Sequence, residues 1–102
     1  MMYLIQLFLP LYDENGSAIS DQDFAAVRDQ LTEKFGGITT YPRAPAKGFW
    51  KDRGKVHKDD IVVFEVMAEG LERQWWDRYR KTLEARFRQE EVLIRAQVIE
   101  II

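Results

Sequence analysis

The sequence predicts an α+β domain in which a four-stranded antiparallel sheet carries two helices on one face. Three observations predict it. Two segments of helical period alternate with four β-prone segments in the order strand, helix, strand, strand, helix, strand. The first and third strand segments are apolar at nearly every position. The second and fourth are short, proline-ended or half polar.

Residues 3–11 are apolar almost throughout, the pattern of a strand buried on both sides, and Asp13-Glu14-Asn15-Gly16-Ser17 then supplies turn chemistry. Ser20 is placed to cap a helix, with Asp23 three positions on as its capping-box partner. Phe24, Val27, Leu31 and Phe35 follow on one side at helical spacing, and Gly36-Gly37 ends the helix by permitting positive φ. Ile38 to Tyr41 form a short strand stopped by Pro42, which lacks an amide donor and so belongs at a sheet edge.

Residues 43–58 read as an irregular loop, with a brief extended piece at Phe49-Trp50 before the turn-forming Asp52-Arg53-Gly54-Lys55. Ile61 to Met67 form the second strongly apolar strand. Gly70 or Glu69 is expected to open the second helix, whose stripe is Leu71, Trp75, Trp76, Tyr79, Leu83 and Phe87. Trp75-Trp76 flanks that stripe and reads as core packing rather than a ligand cage. The last strand, 92–99, alternates Val92, Ile94, Ala96 and Val98 with Leu93, Arg95, Gln97 and Ile99.

Burial selects one topology for this order of elements. In the ferredoxin-like βαββαβ arrangement the first and third strands are central and the other two are edges, giving the strand order 4-1-3-2. The two strands with apolar side chains all round are the first and third. The pleat puts Tyr3, Ile5, Leu7, Leu9, Val62, Phe64 and Val66, with the even-numbered row of 92–99, under the helices. The opposite face collects Leu4, Gln6, Phe8, Ile61, Val63, Glu65, Met67, Leu93, Arg95, Gln97 and Ile99. So large an apolar face calls for a partner, and a homodimer through the open sheet face is the simplest.

In element order and strand character the whole chain resembles the dimeric α+β-barrel superfamily. In Tyr3-Leu4-Ile5-Gln6-Leu7, Phe35-Gly36-Gly37, Val62-Val63-Phe64-Glu65-Val66-Met67, Trp75-Trp76 and Phe87-Arg88-Gln89-Glu90 it is similar to a family of small uncharacterised bacterial proteins. The superfamily resemblance implies a sheet-to-sheet homodimer, with cofactor-free chemistry or ligand binding as the enzymatic variant. The family resemblance transfers no activity.

Composition narrows the function classes. The 102 residues are one domain's worth, taken as a single domain over 1–102, and the net charge of −2 disfavours broad nucleic-acid or membrane binding. The chain has no cysteine, which removes disulfides, thiolate zinc sites, iron–sulfur clusters and cysteine nucleophiles and agrees with a cytoplasmic setting. Lys47-Gly48-Phe49 resembles the start of an RNA-binding aromatic submotif. Trp50-Lys51 departs from it, and nucleic acid is set aside. No cofactor or metal pattern is present in the sequence.

Two constellations remain. Given the strand order, Gln6 falls between Glu65 and Arg95 on the open face, provided the register brings the three level. Glu65 among Ile61, Val63 and Met67 is a candidate general base, with Arg95 and Gln6 as candidate binders of an anionic group. The structural alternative is a hydrogen-bonded row that sets the register of a dimer. The second constellation is the 43–58 loop, with six bases against the single acid Asp52. It contributes Arg43 and Trp50, with Tyr41 beside it, as candidates for a small anionic or aromatic ligand, and the lone histidine, His57, as a second catalytic candidate. Its structural alternative is a basic guard on an exposed edge. The homodimer and the small-molecule enzyme or binder both stay open.

Overall fold

The computed structural model describes residues 1–40 and 61–102 in full, and 46–52 and 55–60 by backbone alone. In order, the elements are β1 (Met2–Pro10), α1 (Asp21–Phe35), β2 (Thr39–Thr40), β3 (Ala46–Asp52), β4 (Lys55–Glu69), α2 (Arg73–Arg86) and β5 (Leu93–Ile99). All sheet pairings are antiparallel. The path β2-β4-β1-β5 is the ferredoxin-like order expected from the sequence.

β1 is central because it can hide both faces. It pairs with β4 from Met2↔Glu69 to Pro10↔Ile61 and with β5 from Met2↔Ile99 to Phe8↔Leu93. Ile5, Leu7 and Leu9 are buried beneath the helices with Val62, Phe64 and Val66, and α1 adds Val27 and Leu31. α2 contributes Trp76, Tyr79 and Leu83, and Phe87, the residue that caps it, is fully buried. Rings fasten the two helices together: Phe35 of α1 stacks on Trp76 and meets Trp75 edge-on, and within α2 Trp75 stacks on Tyr79. The tandem tryptophans thus belong to the core, Trp76 buried and Trp75 half-buried. The Tyr79 hydroxyl donates to Gln30 Oε1 at 2.9 Å, so its one polar atom is satisfied between the helices.

Local chemistry sets the helix ends. Ser20 Oγ accepts the Asp23 N–H at 3.2 Å, and Gly36, in the left-handed region, closes α1 by donating to the Thr32 carbonyl. α2 departs from the sequence expectation. It opens at Arg73 after Glu72, not at Glu69 or Gly70. Gly70 has φ +75° and ends the strand instead, its N–H donating to the Met1 carbonyl.

Two further differences matter for function. Residues 46–52 and 55–58, expected within an irregular loop, are strand. β3 pairs with the extended start of β4 from Ala46↔Ile61 to Asp52↔Lys55, a hairpin that lengthens β4 to 15 residues. Backbone pairing carries this hairpin, and its lysines and aspartates hide it from any reading based on apolar alternation. In addition, the helix-side row of β5 is only half covered. Val92 is buried and Ile94 half-buried, but Ala96 and Val98 are exposed along the groove between β5 and α2.

Candidate functional site

The open sheet face presents a polar row in an apolar field. Gln6 faces Glu65 on one neighbour and Arg95 on the other in the backbone register. No turn joins these strands directly, so core packing sets the alignment: a slip of one residue would drive Ile5 and Leu7 out of the core. The Gln6 amide then lies within reach of both partners. Its Nε2 donates to Glu65 Oε1 at 2.7 Å, and its Oε1 accepts from Arg95 Nε at 2.8 Å. The guanidinium carbon of Arg95 sits 4.7 Å from the centre of the Phe8 ring, a cation–π contact.

Around the row, Val63 is buried, Leu4, Phe8, Ile61 and Ile99 are half-buried, and Met67 and Leu93 are exposed. One concavity, of about 310 Å³, lies at the end of β4, between Lys34, Phe35, Met67, Glu69, Glu72 and Trp76. A second, of about 390 Å³, runs between α2 and β5 over Tyr3, Leu71, Trp76, Ile94 and Val98. Neither is lined by Glu65 or Gln6.

The second group of candidates lies elsewhere. Tyr41 and Arg43 are outside the described residues. Trp50 and His57 are direct backbone partners in the β3–β4 hairpin, and their side chains are outside the described residues. His57 precedes Glu65 by eight positions on β4. Extended backbone of that length spans about 26 Å. The hairpin candidates and the Glu65–Gln6–Arg95 row are therefore separate places on one long strand.

A third polar assembly escapes sequence reading. Asp13 Oδ1 accepts the backbone N–H groups of Asn15 and Ser17, and its Oδ2 accepts from Arg88 Nε at 2.9 Å. The side chain of Asp13 is only 5% exposed. Arg88 has φ +53°, so a strained backbone presents it to the turn. The Arg88 guanidinium hydrogen bond holds the Asp13 carboxyl below the usual carboxylate range, helped by the Ser17 amide. The turn residues were visible in the sequence. Nothing signalled that a residue 75 positions away would brace them.

Among solved structures the chain is similar to the Cut A1 divalent cation tolerance protein of Thermus thermophilus, with 14% identity and a TM-score of 0.65 over 97% of this chain and 84% of that one. The fold is shared. A CutA protein from Archaeoglobus fulgidus, described as periplasmic, is 18% identical with a TM-score of 0.66, covering 99% and 86% of the two chains. A phage SAM lyase in complex with S-methyl-5'-thioadenosine is 17% identical with a TM-score of 0.65, covering 94% and 80%. No family model matches the chain, and no curated protein is similar to it in sequence. Likeness at these identities establishes the ferredoxin-like fold, and activity has to be argued from the residues.

Among the described residues no helix is long and apolar enough to cross a membrane. Among them, too, no three of His, Cys, Asp and Glu come together as a metal ion would require.

Proposed function

We propose that the protein is a non-catalytic or regulatory homodimer whose two open sheet faces pack together, residues 1–102 acting as one domain. One observation carries the reading: the Gln6 amide engages Glu65 at one end and Arg95 at the other, within an apolar face. Both ends of the amide are committed, so burial against a second sheet would not strand its polar atoms. A general base requires a reacting group beside it, and neither concavity described above borders Glu65. The row therefore acts as a pin for register and orientation.

Sedimentation of the intact protein at micromolar concentration tests this. The native chain and Glu65→Gln are expected to self-associate, and Leu4→Lys, which buries a charge at the contact, is expected to sediment at half the native mass. A monomeric native chain would end the reading. A cytoplasmic home belongs to the same proposal and rests on the cysteine-free composition. Because a protein of this fold is described as periplasmic, cell fractionation decides the compartment.

A second reading is favoured by Arg95 itself. Its guanidinium is held by Gln6 and Phe8, and the residue is exposed. That is the preparation of a docking post for an anionic or aromatic small molecule. The phage SAM lyase shows that a protein of this fold holds a nucleoside thioether. Calorimetric titration with S-methyl-5'-thioadenosine and with inorganic phosphate, against native protein and Arg95→Met, separates the readings. Saturable binding lost in the variant would support the ligand site, and absence of heat would remove it.

A further inference from the structure

β5 is an edge strand with unusual features. Among the described residues it pairs with β1 alone, through seven uninterrupted partners and without a bulge. Natural sheets blunt such an edge with lysine, proline, a bulge or brevity. Leu-Ile-Arg-Ala-Gln-Val-Ile has no lysine, proline or bulge, and Arg95 is its one charged guard. Its single charge, Arg95, is drawn inward toward Gln6 and Phe8, while Leu93 and Val98 are each 54% exposed, on opposite faces of the sheet.

The strand is also self-complementary. A two-fold axis perpendicular to the sheet through Ala96 sets Leu93 opposite the partner's Ile99, Ile94 opposite the partner's Val98, and Arg95 opposite the partner's Gln97. Ala96 then meets the partner's Ala96. Such an axis pairs residues of the same face, as the pleat requires, and matches apolar with apolar and polar with polar in every pair. Neighbouring centres fail. An axis through Arg95 opposes two guanidinium groups, and one through Gln97 sets Ile94 against the partner's Glu100.

We infer that β5 is the edge through which two copies of this chain join antiparallel, centred on Ala96, into one continuous sheet. The contact also completes the α2–β5 groove. Its floor of Ile94 and Val98 gains the partner's Val98 and the partner's Ile94, and the exposed end of β5 is covered. The inference does not depend on the open-face reading. It uses the backbone edge of β5, whereas that reading uses Leu4, Phe8 and Met67.

The chain has no cysteine, so a single introduced thiol reports on its own position. Directly opposed antiparallel residues have Cα atoms about 4.5–5.5 Å apart, within disulfide range. Ala96→Cys is expected to form a reducible covalent dimer under mild oxidation. In Val98→Cys the two thiols would be four residues out of step, about 13 Å apart, so at least about tenfold less dimer is expected. A mixture of Leu93→Cys and Ile99→Cys should give the mixed dimer in preference to either self-dimer, which keeps the test alive if Ala96→Cys misfolds. Crosslinking of Ala96→Cys that persists with Leu4→Lys in the same chain separates this contact from the open-face one. Equal crosslinking of Ala96→Cys and Val98→Cys, or crosslinking lost with Leu4→Lys, would overturn the assignment.

Discussion

Gln6 and Arg95, 89 positions apart in the chain, are joined by a hydrogen bond of 2.8 Å from the arginine Nε to the glutamine Oε1. The same amide donates to Glu65, so one side chain ties three strands together. Replacing Gln6 with Leu removes both bonds. A loss of about 1–3 kcal/mol in unfolding free energy is expected from urea titration. The paired change Gln6→Leu with Glu65→Leu should cost less than the two singles summed, because those residues share one network. Additive costs would mean that the row is not an energetic unit.

Asp13 gives the protein an acid-sensitive brace. Its folded pKa lies below the ordinary value of 3.8 because Arg88 and two turn amides favour the carboxylate. A depressed folded pKa adds stability that is present above the unfolded value and lost as pH falls through the folded one. Thermal stability should therefore fall below about pH 4. Arg88→Gln should lower the neutral-pH midpoint and flatten that acid limb. An unchanged limb would show that other carboxylates control it.

The core should respond in proportion to burial. Leu83 is fully buried, and Leu83→Ala is expected to cost about 2–5 kcal/mol through lost contacts and a residual cavity. Arg78, exposed on the far side of α2, should tolerate Ala within about 0.5 kcal/mol. Denaturation midpoints that fail to separate the two would place α2 differently.

Lys34 lies 4.6 Å from the centre of the Trp75 ring and 3.1 Å from Glu72 Oε2. Glu72 is well exposed, so Glu72→Gln should be nearly silent. Lys34→Met removes the cation over the indole and is expected to cost about 0.5–1 kcal/mol. It should also alter the emission of the folded protein, which intrinsic fluorescence during urea unfolding would record.

What the sequence discloses follows from which forces act locally. The alternation of 92–99 and the all-round apolarity of 3–11 and 61–67 announce the central and edge strands, because side-chain parity is a local property. The same parity puts Gln6, Glu65 and Arg95 on one face. Their alignment is not local, since it depends on how Ile5, Leu7, Phe64 and Val66 pack. The β3–β4 hairpin was missed because its pairing lies in the backbone and its side chains carry no apolar rhythm. The open end of β5 was missed because alternation gives the parity of Ala96 and Val98 but not how closely a helix packs over them. The Asp13–Arg88 brace depends on the chain turning back at Phe87, and no residue near Asp13 announces it.

The position of β1 bears on how this chain acquires its fold. Its neighbours come from residues 61–69 and 93–99, so its pairings span most of the chain. Loop-closure entropy opposes such contacts before anything rewards them, and domains of this type fold more slowly than helical bundles of equal length. On the ribosome, β1 emerges first, apolar on nearly every side chain, and waits for almost ninety more residues before its second neighbour appears. During that interval it is an adhesive strand without a sheet. The conditions that favour aggregation thus arise from strand order itself, before any mature surface exists.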